Sequence, residues 1–163
     1  MDFTTALAQE FAPEFTATPF AIVVVRMLLA VALGGVIGLE REANGPTAGL
    51  RTHILISLAS CLFALISLEL MTLTGQGAET KSDPLRLIEA VTAGVAFLVA
   101  GSIISSGGKV QGLTTGAGMW LAGAVGLSCG AGQLSLAVLA AGISVVVLWL
   151  IRPLSRRIGG DQT

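Results

Sequence analysis

Residues 38–55, GLEREANGPTAGLRTHIL, bring together side chains that can bind a cation or accept a proton. Glu40 and Glu42 are carboxylates, which Mg²⁺ prefers as ligands beside the waters it retains. His53 is the sole histidine of the chain, and histidine is the commonest general base. The same residue types also form ion pairs between helices. We call this segment the loop motif, and its candidate site residues are Glu40, Arg41, Glu42, Arg51, Thr52 and His53.

An enzymatic role is not expected from these residues. No serine, cysteine or carboxylate stands near His53 at the spacing of a catalytic triad. The sequence also has no Walker A loop, no G-x-G-x-x-G after a strand and no H-E-x-x-H. We therefore expect a capping or interfacial histidine and no catalytic residues.

The composition indicates a protein whose solvent is mostly lipid. Charged residues make up 12% of the 163 residues, about half the roughly 25% of a soluble domain. The net charge of −1 leaves no broad basic face, so we expect no nucleic-acid partner. Cys61 and Cys129 lie inside apolar runs without metal-ligand spacing, and we expect buried packing residues there.

Five apolar stretches are long enough to cross a bilayer, which takes about 20 residues. They are residues 19–39, 52–73, 84–104, 112–130 and 134–151. The pattern predicts an all-α, polytopic transmembrane helix bundle with five spans. We divide the chain into an N-terminal interfacial segment (1–18), the transmembrane domain (19–153) and a cytoplasmic tail (154–163). Phenylalanines and a leucine every four residues predict a short helix over 3–15 that lies on the membrane surface.

The orientation follows from the positions of lysine and arginine. With the N-terminus outside, two basic residues lie in outer segments, Lys81 and Arg86, and six in inner segments: Arg41, Arg51, Lys109, Arg152, Arg156 and Arg157. This asymmetry predicts an N-out, C-in topology, with the loop motif on the cytoplasmic side.

Four ionisable residues fall within the predicted spans near the outer surface: Arg26, Glu69, Arg86 and Glu89. A charge inside a bilayer is expensive unless it is paired. We expect Arg26 to pair with Glu69 or Glu89. Such a pair serves either as a clamp between helices or as part of an outward-facing cation or proton site built on the carboxylates. The further alternative is that Arg86 and Glu69 extend their charged ends to the membrane interface.

The loop motif itself predicts a second pairing. The first two spans are antiparallel neighbours, so Glu40 and Arg51 should lie level with each other and fix the hairpin between them. The alternative is an ion or partner site. Glu40, Glu42 and Glu89 are the candidate metal ligands, with Mg²⁺ as the candidate ion.

Glycines are frequent in these apolar stretches, although glycine is a poor helix former. In lipid, small residues let helix backbones approach closely. Gly34 and Gly38 on the first span, with Gly126 and Gly130 on the fourth, predict that these two helices touch. The fourth span otherwise fits a broken or re-entrant helix. The candidate packing glycines are Gly34, Gly38, Gly94, Gly101, Gly123, Gly126 and Gly130.

The segments LGGVIGLERE, AGLRTHILISL and VQGLTTGAGMW resemble the membrane domain of the MgtC/SapB family, in the same order and spacing, over residues 20–153. The residues that carry the resemblance are Gly34, Gly38, Glu40, Arg41, Gly49, Leu50, Arg51, Thr52, Gly94, Gly101, Gly112, Leu113, Thr114, Thr115 and Trp120. The family's third helix usually has glycines where this chain has Ala96 and Val99, so we expect a bulkier face there. We expect no counterpart of the soluble C-terminal regulatory domain that the virulence-associated members of the family carry.

The resemblance implies a bacterial inner-membrane protein linked to Mg²⁺ homeostasis or to acid and ion stress. It leaves two functions open. One is binding or conduction of a cation. The other is regulation by helix–helix contact with another membrane complex, such as an ATP synthase, without transport. We also expect a homo-oligomer, and specifically a dimer, because five thin helices enclose little interior and glycine-rich faces attract partners.

Overall fold

The structure is a computed structural model, which describes residues 2–4, 15–43, 48–74, 84–106 and 109–158. Within these residues the main elements are five helices: α1 (Phe20–Glu42), α2 (Leu50–Thr74), α3 (Pro84–Ser102), α4 (Leu113–Gly130) and α5 (Leu134–Ile158). A short antiparallel hairpin of β1 (Ile104–Ser106) and β2 (Lys109–Gln111) joins α3 to α4. The predicted all-α fold class is confirmed.

Among the described residues, three helices are long and apolar enough to cross a membrane. They are α1, residues Leu50–Leu73 of α2, and α3. Residues Leu134–Leu150 of α5 form a shorter apolar helix. The span count of five and the N-out topology therefore stay predictions, and most of the predicted surface helix over 3–15 lies outside the described residues.

The helices begin close to where the sequence predicts. Pro19 precedes α1 and Pro84 opens α3, because the fixed φ of proline suits the first turn of a helix. α1 continues through Glu42 and α2 begins at Leu50, so most of the loop motif is helical. α4 is continuous over its 18 residues, which corrects the alternative of a broken helix.

The hairpin before α4 ends in a glycine that the backbone requires. Gly112 has φ of 88°, in the left-handed region that favours glycine. A side chain there would also be 2.7 Å from the carbonyl oxygen of Ser102. The glycine therefore lets the chain turn from β2 directly into the first turn of α4.

The centre of the bundle is α4, which contacts all four other helices, while α1 and α2 also pack closely against each other. α5 packs against α1 and α4, and α3 packs against α4 with a weaker contact to α2. The core is built largely of small residues. Ala30, Cys61, Ala122, Cys129 and Ala137 are all fully buried.

The outer surface of the bundle is apolar. Phe97 is 80% exposed and Trp149 is 72% exposed, while His53 and Ser57 are completely buried. This distribution, with large apolar side chains outside and polar groups inside, is the reverse of a soluble protein and suits a lipid solvent. Cys61 and Cys129 are free and buried, as the sequence predicted.

Candidate functional site at the α1–α2 hairpin

The last turn of α1 holds a buried ion pair between adjacent residues. The Arg41 guanidinium donates from Nε to Oε2 of Glu40 over 2.6 Å, and its Nη2 lies 2.6 Å from the same oxygen. Both side chains are about nine-tenths buried. A buried guanidinium without a carboxylate is strongly destabilising, so Glu40 is the residue that allows Arg41 to enter the bundle.

The histidine of the loop motif lies beside this pair. His53 Nδ1 is 2.8 Å from the carbonyl oxygen of Gly49, the residue directly before α2. A carbonyl only accepts, so Nδ1 donates and the neutral ring directs the lone pair of Nε2 inward. Within the described part of the chain Nε2 has no hydrogen-bond partner. Because Nδ1 donates to a carbonyl, the ring does not cap the free N–H groups of α2, and the interfacial alternative stays a prediction.

Glycines create the space that these side chains occupy. A methyl group at Gly118 of α4 would be 3.0 Å from His53 Nε2 and 3.6 Å from Cδ of Arg41. One at Gly38 of α1 would be 2.8 Å from Cα of Leu50. Thr115, one turn before Gly118, is also buried. α1, α2 and the Gly118 region of α4 thus converge on one compact polar cluster, which consists of Glu40, Arg41 and His53.

The hairpin is held by a different contact from the predicted one. Glu42 accepts a hydrogen bond from the backbone nitrogen of Leu50 over 3.0 Å, so its carboxylate satisfies a free N–H at the positive end of α2. A side chain at Gly49 would overlap this carboxylate. The predicted pair of Glu40 with Arg51 is wrong, because Glu40 binds Arg41 and Arg51 is exposed. Thr52 is half-buried.

The predicted ion pair at the other end of the bundle is also wrong. Nη1 of Arg26 donates to the carbonyl oxygen of Gly130 over 2.8 Å. Glu69 instead accepts from the backbone nitrogens of Thr16 and Ala17, at 2.7 and 3.0 Å. Among the described residues Arg26 forms no salt bridge. The salt bridge found there joins Arg41 to Glu40. Arg26 thus contacts a helix end and not a carboxylate, and its buried Nε has no hydrogen-bond partner among the described residues.

The remaining charges of the predicted spans lie apart from both clusters. Arg86 and Glu89 are exposed on α3. Glu89 follows the first turn of α3, whereas Glu40 and Glu42 end α1, so the three candidate metal ligands do not meet. In the part of the chain that is described, no three His, Cys, Asp or Glu side chains are grouped to hold a metal ion.

The candidate packing glycines divide into two groups. A methyl group at Gly34 would be 2.7 Å from Cβ of Ser57, and one at Gly126 would overlap the Ser57 carbonyl oxygen. α1 and α4 touch as predicted, but their glycines press on α2 from two sides rather than on each other. Gly130 meets the backbone of Cys61 in the same way.

The glycines of α3 correct the prediction more strongly. Among the described residues, nothing lies within 4 Å of where a side chain at Gly94 or Gly101 would begin, so neither glycine packs against another described helix. Gly123 of α4 does pack, since a methyl group added there would be 3.0 Å from Cγ2 of Val95. The bulk expected at Val99 is accommodated by Gly116, where an added methyl would be 2.7 Å away, while Ala96 points outward and is exposed.

Sequence reasoning missed Gly118 and the carbonyl oxygen of Gly130. Gly118 stands in the GLTTGAGMW motif, and a small residue at a helix crossing is a signal that could have found it. The Gly130 carbonyl is a main-chain group, and its availability depends on how α4 ends. No side-chain pattern in the sequence predicts which carbonyl oxygen at the end of α4 is free to accept a hydrogen bond.

Comparison with known proteins extends the resemblance over most of the chain. The MgtC family model matches residues 27–157. A protein of Escherichia coli named "Putative magnesium transporter YhiD" is 34% identical over 139 residues, which cover 83% of this chain and 63% of that protein. The protein MgtC of Brucella abortus is 38% identical over 125 residues, 77% of this chain and 49% of that protein.

The chain thus spans between about half and less than two thirds of the length of these relatives. No solved structure matches it. The matched region contains α1 from Met27 onward and all the later helices, including the Glu40–Arg41 pair, His53 and Gly118. On the extent of this match, the chain belongs to the MgtC family.

Proposed function

We propose that this chain is a bacterial inner-membrane protein that serves Mg²⁺ homeostasis by regulatory contact with another membrane protein, without conducting the ion itself. The link to Mg²⁺ is supported by the family and by the name of the Escherichia coli relative. The mode of action is supported by the charges and packing inside the bundle.

The observation that carries the proposal is the placement of two arginines inside a closely packed bundle. Arg41 is buried at the α1–α2 hairpin and Arg26 is partly buried at the opposite end. Arginine in a narrow membrane path is an electrostatic barrier to protons and cations. A cation that crossed between α1, α2 and α4 would have to pass both guanidinium groups.

Backbone contacts close the same path sterically. Gly34, Gly126 and Gly130 bring α1 and α4 against the main chain of α2, and the hydroxyl of Ser57 donates to the carbonyl oxygen of Ala30 over 2.8 Å. The Ser57 hydroxyl thus serves a contact between α2 and α1. This arrangement supports a compact interaction module better than a conduit.

A second candidate function is binding or conduction of a cation, with Mg²⁺ as the substrate. It is favoured by two carboxylates at one end of α1, Glu40 and Glu42, since Mg²⁺ is held by one or two carboxylates and several waters. The name of the Escherichia coli relative favours it as well. In this candidate function Glu42 would contact the hydrated ion at the hairpin.

Flux measurements decide between the two candidates. Purified protein in liposomes is assayed for Mg²⁺ and H⁺ flux with ion-sensitive fluorescent dyes inside the liposomes. Protein-free liposomes with an added ionophore show that the dyes respond. We expect no flux above protein-free liposomes, from the wild type or from Arg26→Gln, together with restored growth of a Mg²⁺-sensitive strain by the wild type. Flux that Glu42→Gln abolishes would establish the second candidate and overturn the first.

A further inference from the structure

The outer face of α3 carries a regular stripe that no described part of the chain covers. Its members recur at alternating intervals of three and four residues, which places them on one side of a helix in the pattern of a helix–helix seam. Every member is exposed. We call this set the α3 stripe, and it consists of Arg86, Glu89, Ala93, Ala96 and Ala100.

α3 has the smallest buried fraction of the three long apolar helices. Only 11% of its apolar stretch is buried, against 28% for α1 and 33% for α2. Its sole buried side chains in the described structure are Val91 and Val95, on the side away from the stripe. Most of the surface of this helix is therefore open to lipid or to a partner.

Two charges of opposite sign make the stripe unsuited to lipid. Glu89 lies inside the apolar stretch Pro84–Ser102, and Arg86 is one turn away. In the portion of the chain described here, neither side chain is recorded in a hydrogen bond or an ion pair. An uncompensated charge in a membrane helix is costly, and such residues pair with each other or face a protein interior.

The other members of the stripe favour close approach of a second helix. Ala93, Ala96 and Ala100 have the smallest side chains after glycine, and small residues are enriched where membrane helices meet because they let backbones come near. A surface with alanines along one half and a balanced pair of charges along the other is complementary to a copy of itself.

We infer that the α3 stripe is the interface of a homodimer, in which a second copy of this chain packs its α3 in parallel across a two-fold axis normal to the membrane. Such an axis keeps both copies in one orientation and at one depth. Arg86 of each copy then lies beside Glu89 of the other, so that four charges at one end neutralise each other. The alanines form the close-packed remainder of the interface.

The apolar groove beside the stripe is a weaker candidate for the same copy. It lies between α2 and α3, encloses about 670 Å³, and is lined by Phe63, Leu70, Gly94, Leu98 and neighbouring residues. Lipid chains fill an apolar groove in a bilayer without a hydrophobic penalty. The groove therefore gives no drive for association, whereas the charges of the stripe do.

A charge exchange tests the pairing. Dimer fraction is measured by resonance energy transfer between labelled copies in liposomes, at several protein-to-lipid ratios. We expect Arg86→Glu alone and Glu89→Arg alone each to weaken dimerisation by about tenfold or more, because each places four like charges together. The double variant restores the pairs and should return dimerisation to near the wild-type level.

Cysteine cross-linking tests the geometry. Ala96→Cys is compared with Ala32→Cys, an exposed alanine equally far along α1. The native cysteines are buried, so the wild type serves as the blank. We expect a disulfide-linked dimer from Ala96→Cys at a rate about tenfold above that of Ala32→Cys. Leu98→Cys, on the groove side, should cross-link no faster than Ala32→Cys.

Three results would overturn the inference. The first is a wild-type chain that stays monomeric at high protein-to-lipid ratio. The second is equal cross-linking from positions 32 and 96, or faster cross-linking from position 98. The third is a double charge variant that is no better than either single variant while all three keep the helical circular dichroism and melting temperature of the wild type.

Discussion

The guanidinium of Arg26 on α1 donates to the main-chain carbonyl of Gly130, the last residue of α4, over 2.8 Å. This carbonyl is available because of how α4 ends. Gln133 N bonds to Ser128 O and Gly132 N to Cys129 O, with Gly132 at φ of 81°, which is a Schellman motif. The motif leaves the Gly130 oxygen at the negative end of the helix, where a cation is stabilised.

Replacing Arg26 should therefore cost stability independently of the nearby carboxylates. We expect Arg26→Gln to lower the free energy of unfolding by about 2 kcal/mol, the typical worth of a hydrogen bond to a charged group. In a double-mutant cycle with Glu69→Gln, the two effects should add within about 0.5 kcal/mol. Unfolding in mixed micelles by a denaturing detergent measures both. A coupling well above 1 kcal/mol would mean that the two side chains interact after all.

The contact of α4 with α2 should tolerate no side chain at its centre. A Cβ at Gly126 would overlap the main-chain carbonyl oxygen of Ser57, which cannot swing aside. We expect Gly126→Ala to destabilise the bundle by about 3 kcal/mol, at the upper end of overpacking effects. Denaturant titration followed by circular dichroism gives the value.

Gly142 on α5 is the matched control for that substitution. Nothing lies within 4 Å of where its side chain would begin, so Gly142→Ala adds a better helix former without a clash. It should be neutral or stabilising by up to about 1 kcal/mol. If the two alanine variants lose stability equally, the glycine contact between α4 and α2 is not as close as described.

Glu69 should hold the segment before α1 in place. Its two carboxylate oxygens accept separately from Thr16 N and Ala17 N, while an amide has a single acceptor oxygen. We expect Glu69→Gln to speed hydrogen exchange at the amide of Ala17 by about tenfold. Glu89→Gln, which changes an exposed carboxylate on α3, should leave that exchange rate unchanged. Equal rates in wild type and Glu69→Gln would exclude the proposed anchoring.

The predicted orientation places the α1–α2 hairpin in the cytoplasm. Ala43→Cys, an exposed position just after α1, should react with a membrane-impermeant maleimide in inverted vesicles and not in intact spheroplasts. Thr4→Cys should show the opposite pattern. The buried native cysteines contribute little background. Labelling of both sites from one side would contradict the topology that the distribution of lysine and arginine predicts.

Much of the helical architecture could be read from the sequence because lipid imposes a simple rule on it. Long apolar stretches must form helices, since no water is present to satisfy their backbone groups. Proline and glycine then mark the boundaries, as Pro19 and Gly112 do. The buried cysteines and the membership of the MgtC family followed from the same one-dimensional information.

From the residues alone it follows that this chain forms a bundle of apolar helices with glycine contacts, and that a polar hairpin joins the first two helices. Only the tertiary structure decided which groups meet. Arg26 contacts the end of α4 and not Glu69, and Glu40 pairs with Arg41 and not with Arg51. The glycines of α1 and α4 pack against α2 and not against each other. The physical reason is that pairing depends on the rotation of each helix and on main-chain carbonyls, and side-chain spacing along one helix specifies neither.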